Sequence, residues 1–127
     1  MRKVEAAMIA AIRKSIADPY AEGQQFKKDN TVVFCNGSGV VGTPGFSRWI
    51  EVILYDTVIA IIEPQTCLIG FYSGGFKTPT TKSRLNAVLG AFSNGFHIYQ
   101  DKGQWYIYKG GRRYDRFDDG FAVTLEA

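Results

Sequence analysis

Gly37-Ser38-Gly39-Val40-Val41-Gly42 spells Gly-x-Gly-x-x-Gly, a spacing whose backbone amides cradle phosphates when a strand leads through it into a helix. Here Thr43-Pro44-Gly45 and then a strand-like run follow, so no helix N-terminus receives a pyrophosphate. The segment reads as a flexible glycine loop, at most a lid. His97 is the sole histidine, which excludes a multi-histidine metal site, and its place between Phe96 and Ile98 in a strand suits a structural or surface imidazole better than a general base. Asp115, Asp118 and Asp119 supply the carboxylates that a cation site or a small metal-dependent hydrolase would need. They are interleaved with Arg112, Arg113 and Arg116 and lack calcium-loop spacing, so local charge compensation accounts for them. Neither Ser38 nor Ser83 has a nucleophile-elbow setting. These residues point to no catalytic centre, no metal and no cofactor.

A second set does suggest a chemistry, that of binding. Lys77, Lys82 and Arg84 flank a helix start, where the positive end of the dipole adds to their charge. Lys102, Lys109, Arg112, Arg113 and Arg116 surround a hairpin that carries Tyr99, Trp105, Tyr106 and Tyr108. Aromatic faces stack on bases and cations hold phosphates, the combination that a single-stranded nucleic-acid or nucleotide site uses. Alternation puts Trp105 and Ile107 on one face of the strand and Tyr106 and Tyr108 on the other, so one pair at most is free for a ligand. The expected roles are anion contact for Lys82, Arg84, Arg112 and Arg113, and stacking for Tyr106 and Tyr108; a plain solvated sheet face is the competing reading.

The elements that must position these residues follow from periodicity. Val4, Met8, Ile9, Ala11, Ile12 and Ile16 share one arc of an N-terminal helix over about residues 2–17, stopped by Asp18-Pro19. Ala21 to Asn30 is polar and shows neither period, which predicts a connecting loop. Strands are predicted over Thr31–Cys35, Ser47–Tyr55, Thr57–Ile62 and Cys67–Tyr72, with Ile50, Val52 and Leu54 on the core face of the second. The connections at Asp56-Thr57 and Glu63-Pro64-Gln65-Thr66 are too short for parallel crossovers, which makes those pairings antiparallel. Leu85, Val88, Leu89 and Phe92 form a stripe on a second helix over about residues 81–93, with Thr80 or Thr81 as N-cap and Asn94-Gly95 as the stop. Phe96–Gln100 and Gln104–Tyr108 then make a hairpin around Asp101-Lys102-Gly103, and Phe121–Leu125 is a last strand.

Together these predict one α+β domain over residues 1–127, a mainly antiparallel meander of about six or seven strands packed with the N-terminal helix and with a helix inserted before the last hairpin. With 127 residues, 46% of them apolar and 14% aromatic, the chain has material for a real core. The net charge of +3 permits an acidic partner without demanding one. No stretch approaches the ~20 apolar residues of a membrane helix. Charges at Glu5, Arg13 and Lys14 break any signal-peptide pattern, so the expected setting is the cytoplasm with no membrane role. Cys35 and Cys67 fall in different strands without metal spacing and are expected as buried thiols, with a cross-strand disulfide open only for an exported protein.

The run Thr80-Thr81-Lys82-Ser83-Arg84-Leu85-Asn86-Ala87-Val88-Leu89, with Tyr99-Gln100, Gln104-Trp105-Tyr106, Asp119-Gly120-Phe121 and the opening Met1-Arg2-Lys3-Val4-Glu5, resembles a widespread group of small bacteriophage proteins over most of the chain. The Gly37 to Gly45 loop departs from that pattern. The resemblance implies a phage origin, hence the host cell cytoplasm, and an α+β domain, and it brings no catalytic residues. The resulting expectation is a non-enzymatic accessory protein that binds a host protein or nucleic acid in host takeover or anti-defence. The alternatives are a sponge that sequesters a phosphate-containing nucleotide signal in a homo-oligomer, with phosphates at the start of the second helix, a single-stranded nucleic-acid binding module, and the small hydrolase already mentioned.

Overall fold

The apolar arc of the first helix is what docks it. In the computed structural model, which describes residues 2–126, α1 spans Lys3–Ala17 and buries Val4, Met8, Ile9 and Ile12. Each such side chain contributes about 1.5–3 kcal/mol on leaving water. The helix stops as read, because Asp18 precedes Pro19 and takes extended dihedrals.

Five strands follow as an antiparallel meander: β1 (Gly23–Lys28), β2 (Thr31–Ser38), β3 (Ser47–Leu54), β4 (Thr57–Glu63) and β5 (Leu68–Phe71). The last strand of the chain, β9 (Phe121–Thr124), returns to pair with β5 and completes a six-stranded sheet. On β3, Ile50, Val52 and Leu54 face the core as expected, and Arg48 is buried in the same row. β1 corrects the expected loop over Ala21 to Asn30. Asp29 and Asn30 have φ of +51° and +60°, a two-residue hairpin turn that folds the segment back onto β2. As an edge strand it keeps polar residues on its exposed positions, which erased the period.

α2 (Pro79–Phe92) lies between the sheets and buries Leu85, Val88, Leu89 and Phe92, the stripe read from the sequence. Its cap is Thr78 rather than Thr80 or Thr81: Thr81 N donates to Thr78 Oγ1 at 3.2 Å, and Pro79 occupies the first turn. Proline favours that position because the amide it lacks has no helical acceptor there.

After α2 comes a separate three-stranded sheet, β6 (Phe96–Asp101), β7 (Gln104–Lys109) and β8 (Arg112–Arg116). β8 was not expected, since Arg-Arg-Tyr-Asp-Arg has no apolar alternation. Gly110-Gly111, with φ of +60° and +77°, turns the chain back on β7 and creates it. The chain thus holds nine strands in two sheets among the described residues, an α+β architecture with more strands than the predicted six or seven. Ile98, Trp105 and Ile107 from the small sheet, and Phe117 just after it, join one hydrophobic core with α1, α2 and the large sheet.

Buried polar groups fasten this core. Arg84 Nη1 pairs with Glu5 Oε2 at 2.8 Å, Arg84 Nε donates to Thr31 Oγ1 at 3.0 Å, and Ser83 Oγ donates to the same Glu5 oxygen at 2.6 Å. α2, α1 and β2 meet in this network. Asn86 reaches the other sheet, accepting from Ile98 N at 2.6 Å and donating to Ile98 O at 2.9 Å. Its amide satisfies the outer edge of β6, which no strand covers. Both cysteines are free thiols; Cys35 is buried as expected, but Cys67 is exposed, in a turn with φ of +55° just before β5. Among the described residues no helix is long and apolar enough to cross a membrane.

Candidate ligand-binding face

The small sheet has a dry side and a wet side, set by alternation. Ile98, Trp105 and Ile107 point into the core, which leaves His97 and Tyr99 of β6 and Tyr106 and Tyr108 of β7 on the outer face. Across the ladder His97 stands opposite Tyr108 and Tyr99 opposite Tyr106. The rings cluster: the centroids of the directly opposed His97 and Tyr108 are 5.5 Å apart, and those of the diagonal pair Tyr99 and Tyr108 are 5.1 Å apart at an interplanar angle of 46°. Tyr99 is 49% exposed, so the cluster has a free surface.

β8 supplies the charge. Its ladder with β7 slips at Ile107/Tyr108, so that Tyr108 faces Arg113 while Tyr106 faces Arg116. Residues three apart in a regular strand point to opposite faces; the bulge puts both arginines on the ring-bearing side. Arg113 Cζ lies 3.7 Å from the Tyr106 ring centroid, a close cation–π stack, and Arg113 Nη2 contacts Asp101 Oδ2 at 3.3 Å. Loss of hydration alone would lower the Arg113 pKa; the neighbouring Tyr108 hydroxyl and the fields of Tyr106, Tyr108 and Asp101 outweigh it and hold the guanidinium above its ordinary value. The charge of Arg113 is therefore present at every working pH.

Of the six residues expected to bind, Tyr106, Tyr108 and Arg113 are brought together here. Arg112 is exposed but sits beside the Gly110-Gly111 turn opposite Lys109, on the other face from Arg113. Lys82 Nζ donates to Gln100 Oε1 at 3.3 Å, at the helix side of β6 rather than on the rings. Arg84 is a correction: it is 3% exposed and committed to Glu5 and Thr31, so it contacts no ligand. Its place on the buried stripe, one residue before Leu85, turned it inward. Tyr99 and Arg116, expected among the rings and cations of the hairpin but assigned no contact, join the face, as does His97, expected as a structural or surface imidazole. The parity of His97 and Tyr99 opposite Tyr106 and Tyr108 was the available signal; the bulge that aims Arg116 had none.

Lys77, Lys82 and Arg84 stand apart from the cavity at the start of α2. That cavity, of about 400 Å³, is lined by Leu54, Tyr55, Ile59, Phe76, Thr78 and Thr81 among others, with no lysine or arginine on its wall. The acidic cluster is spent locally. Asp119 accepts from Ser73 N at 2.8 Å, Ser73 Oγ at 2.9 Å and Gly74 N at 3.2 Å, which ties the loop after β5 to the chain before β9. Asp115 Oδ1 accepts from Arg116 N at 2.8 Å, and Asp118 lies 4.0 Å from Arg116 Nε. Among the described residues no three His, Cys, Asp or Glu side chains converge as a metal site would require.

No curated protein and no solved structure matches the chain. The family described as Kyanoviridae Gp96 protein matches residues 1–124, which runs from before α1 to the last residue of β9 and takes in both sheets. With nearly its whole length matched, the chain belongs to the Kyanoviridae Gp96 family, a family of phage proteins.

Proposed function

We propose that this phage protein is a non-enzymatic binding module that holds single-stranded nucleic acid of the host cell on the outer face of β6, β7 and β8. The observation that carries this reading is the juxtaposition of Arg113, stacked on Tyr106, with the open ring cluster of His97, Tyr99 and Tyr108. Rings exposed on a sheet offer π-faces to unpaired bases, worth about 1–3 kcal/mol per base, and arginines beside them meet the phosphates between those bases. The charge balance supports it. Residues 96–116 hold five Lys or Arg against two Asp, whereas the rest of the chain is balanced at ten and ten, so the whole net charge of +3 resides on this sheet.

Asp101 does not block the site. Its pair with Arg113 is half exposed on both sides, and such a pair is worth roughly 0–1 kcal/mol, so exchanging the carboxylate for a phosphate costs little. Until then it holds the guanidinium over the sheet.

Fluorescence anisotropy with a labelled single-stranded oligonucleotide, in DNA and RNA form and beside the matching duplex, tests the proposal. Binding to the single strands is expected, weakening with salt and lost in the double variant Tyr99→Ala/Tyr108→Ala. Equal affinity of that variant and the unaltered protein, or no binding of any single strand at low salt, overturns it.

A further inference from the structure

We propose that the buried guanidinium of Arg48 forms the floor of a second site, which binds a small oxyanion, a carboxylate or a phosphate group, under the glycine loop joining β2 and β3. Arg48 is 5% exposed, yet it forms no ion pair among the described residues. Nη2 donates to the Ser15 and Ile16 carbonyls, at 2.6 and 2.9 Å, and so caps the end of α1. Nη1 has neither a hydrogen-bond partner nor contact with solvent.

Magnitudes make this an unbalanced group. A helix C-terminus carries about half a negative charge, which leaves a good part of the guanidinium charge uncompensated. A buried donor without an acceptor costs about 1–3 kcal/mol, and more when the group is charged. One oxyanion accepting from Nη1 answers both deficits, with the short charge-assisted bonds that arginine makes to such groups.

There is room for it. A cavity of about 180 Å³ is lined by Arg48 together with Tyr20, Asn36, Gly37, Ser38 and Gly39 among others, a volume suited to a phosphate group or a short carboxylate. Two positions on its wall are glycine because the limbs of the loop run close: a Cβ on Gly37 would stand 3.2 Å from Ser47 O, and one on Gly39, at φ of +86°, 2.5 Å from Gly45 O. The Gly-x-Gly-x-x-Gly run, which leads into no helix, thus lies over an arginine. Backbone amides and the Ser38 hydroxyl are the further donors it offers. Because Nη1 is shielded, the loop shifts to admit the ligand. Glu22, also on the wall, is the one carboxylate there and makes no pair with Arg48.

The test is an NMR titration of the isotope-labelled full chain with inorganic phosphate and, separately, with acetate, following the Arg48 side chain and the amides of residues 37–41. Saturable shifts at both are expected, and the anion that saturates at the lower concentration identifies the ligand's headgroup. Arg48→Lys, which keeps a cation but loses the fork, is expected to weaken binding by about tenfold or more. Should that variant not fold, Val41→Trp, which fills the cavity from the loop, takes its place with the same expectation. Absence of saturable shifts with both anions, or undiminished affinity in the folded variant, overturns the proposal.

Discussion

Arg84 and Arg113 carry the same side chain and were read alike, and the molecule uses them in opposite ways. Around Arg84, where α1, α2 and β2 meet, the side chains are buried and Glu5, Thr31 and Ser83 close a network about the guanidinium. Around Arg113, on the last strand of the small sheet, the guanidinium lies over a tyrosine ring and its carboxylate partner is half exposed. What separates them is hydration. A buried charge left alone carries its full desolvation cost, whereas an exposed one exchanges partners for almost nothing. The first region holds the fold; the second stays open to solvent.

Breaking the first region should give the largest effect. Arg84→Met leaves Glu5 buried and unpaired, and a loss of about 3–5 kcal/mol is expected in chemical denaturation, most of it recovered in the double variant Glu5→Leu/Arg84→Met. A loss below about 1 kcal/mol accompanied by weaker oligonucleotide binding would erase the contrast, because Arg84 would then act as a surface cation. Asn86→Ala comes next. It strips both bonds from the edge of β6, and about 1–3 kcal/mol is expected, with faster amide hydrogen exchange at Ile98 as the local check.

The outer face should respond in binding and not in stability. Tyr99→Ala is expected to weaken single-strand binding by about 1–3 kcal/mol, read by anisotropy. Arg113→Ala should move the unfolding free energy by less than about 1 kcal/mol while making the dependence of log affinity on log salt shallower by roughly 0.7, one phosphate's share. The smallest effect is expected for Lys82→Ala, whose contact with Gln100 is exposed: a change within about 0.5 kcal/mol in stability. A large binding loss in that variant would extend the site around the edge of β6.

Much of the architecture was readable from periodicity. The buried stripes of α1 and α2, the core face of β3 and the parity of Trp105 and Ile107 against Tyr106 and Tyr108 are all repeats of hydrophobic burial, and each appears where it was expected. β1 and β8 escaped because edge strands keep polar residues; only their turns, Asp29-Asn30 and Gly110-Gly111, marked them. Thr78-Pro79 carried a cap signal that the more conspicuous pair Thr80-Thr81 obscured. Half of the expected contact residues meet on one face, and Arg84 failed because a helix stripe of four apolar residues does not reveal how wide the buried arc is.

Spacing along the chain made the two helices, the core strands, their amphipathic faces and the concentration of rings and cations in residues 96–116 legible without the fold. Tertiary structure decided which cations remain in water. Glu5 and Arg84 are 79 residues apart, and Ser15 and Arg48 are 33 apart. No local pattern announces that two such residues share a dry site. Nor does any announce the bulge that turns Arg113 and Arg116 to the same side, because a slip in register belongs to a pair of strands and not to either one.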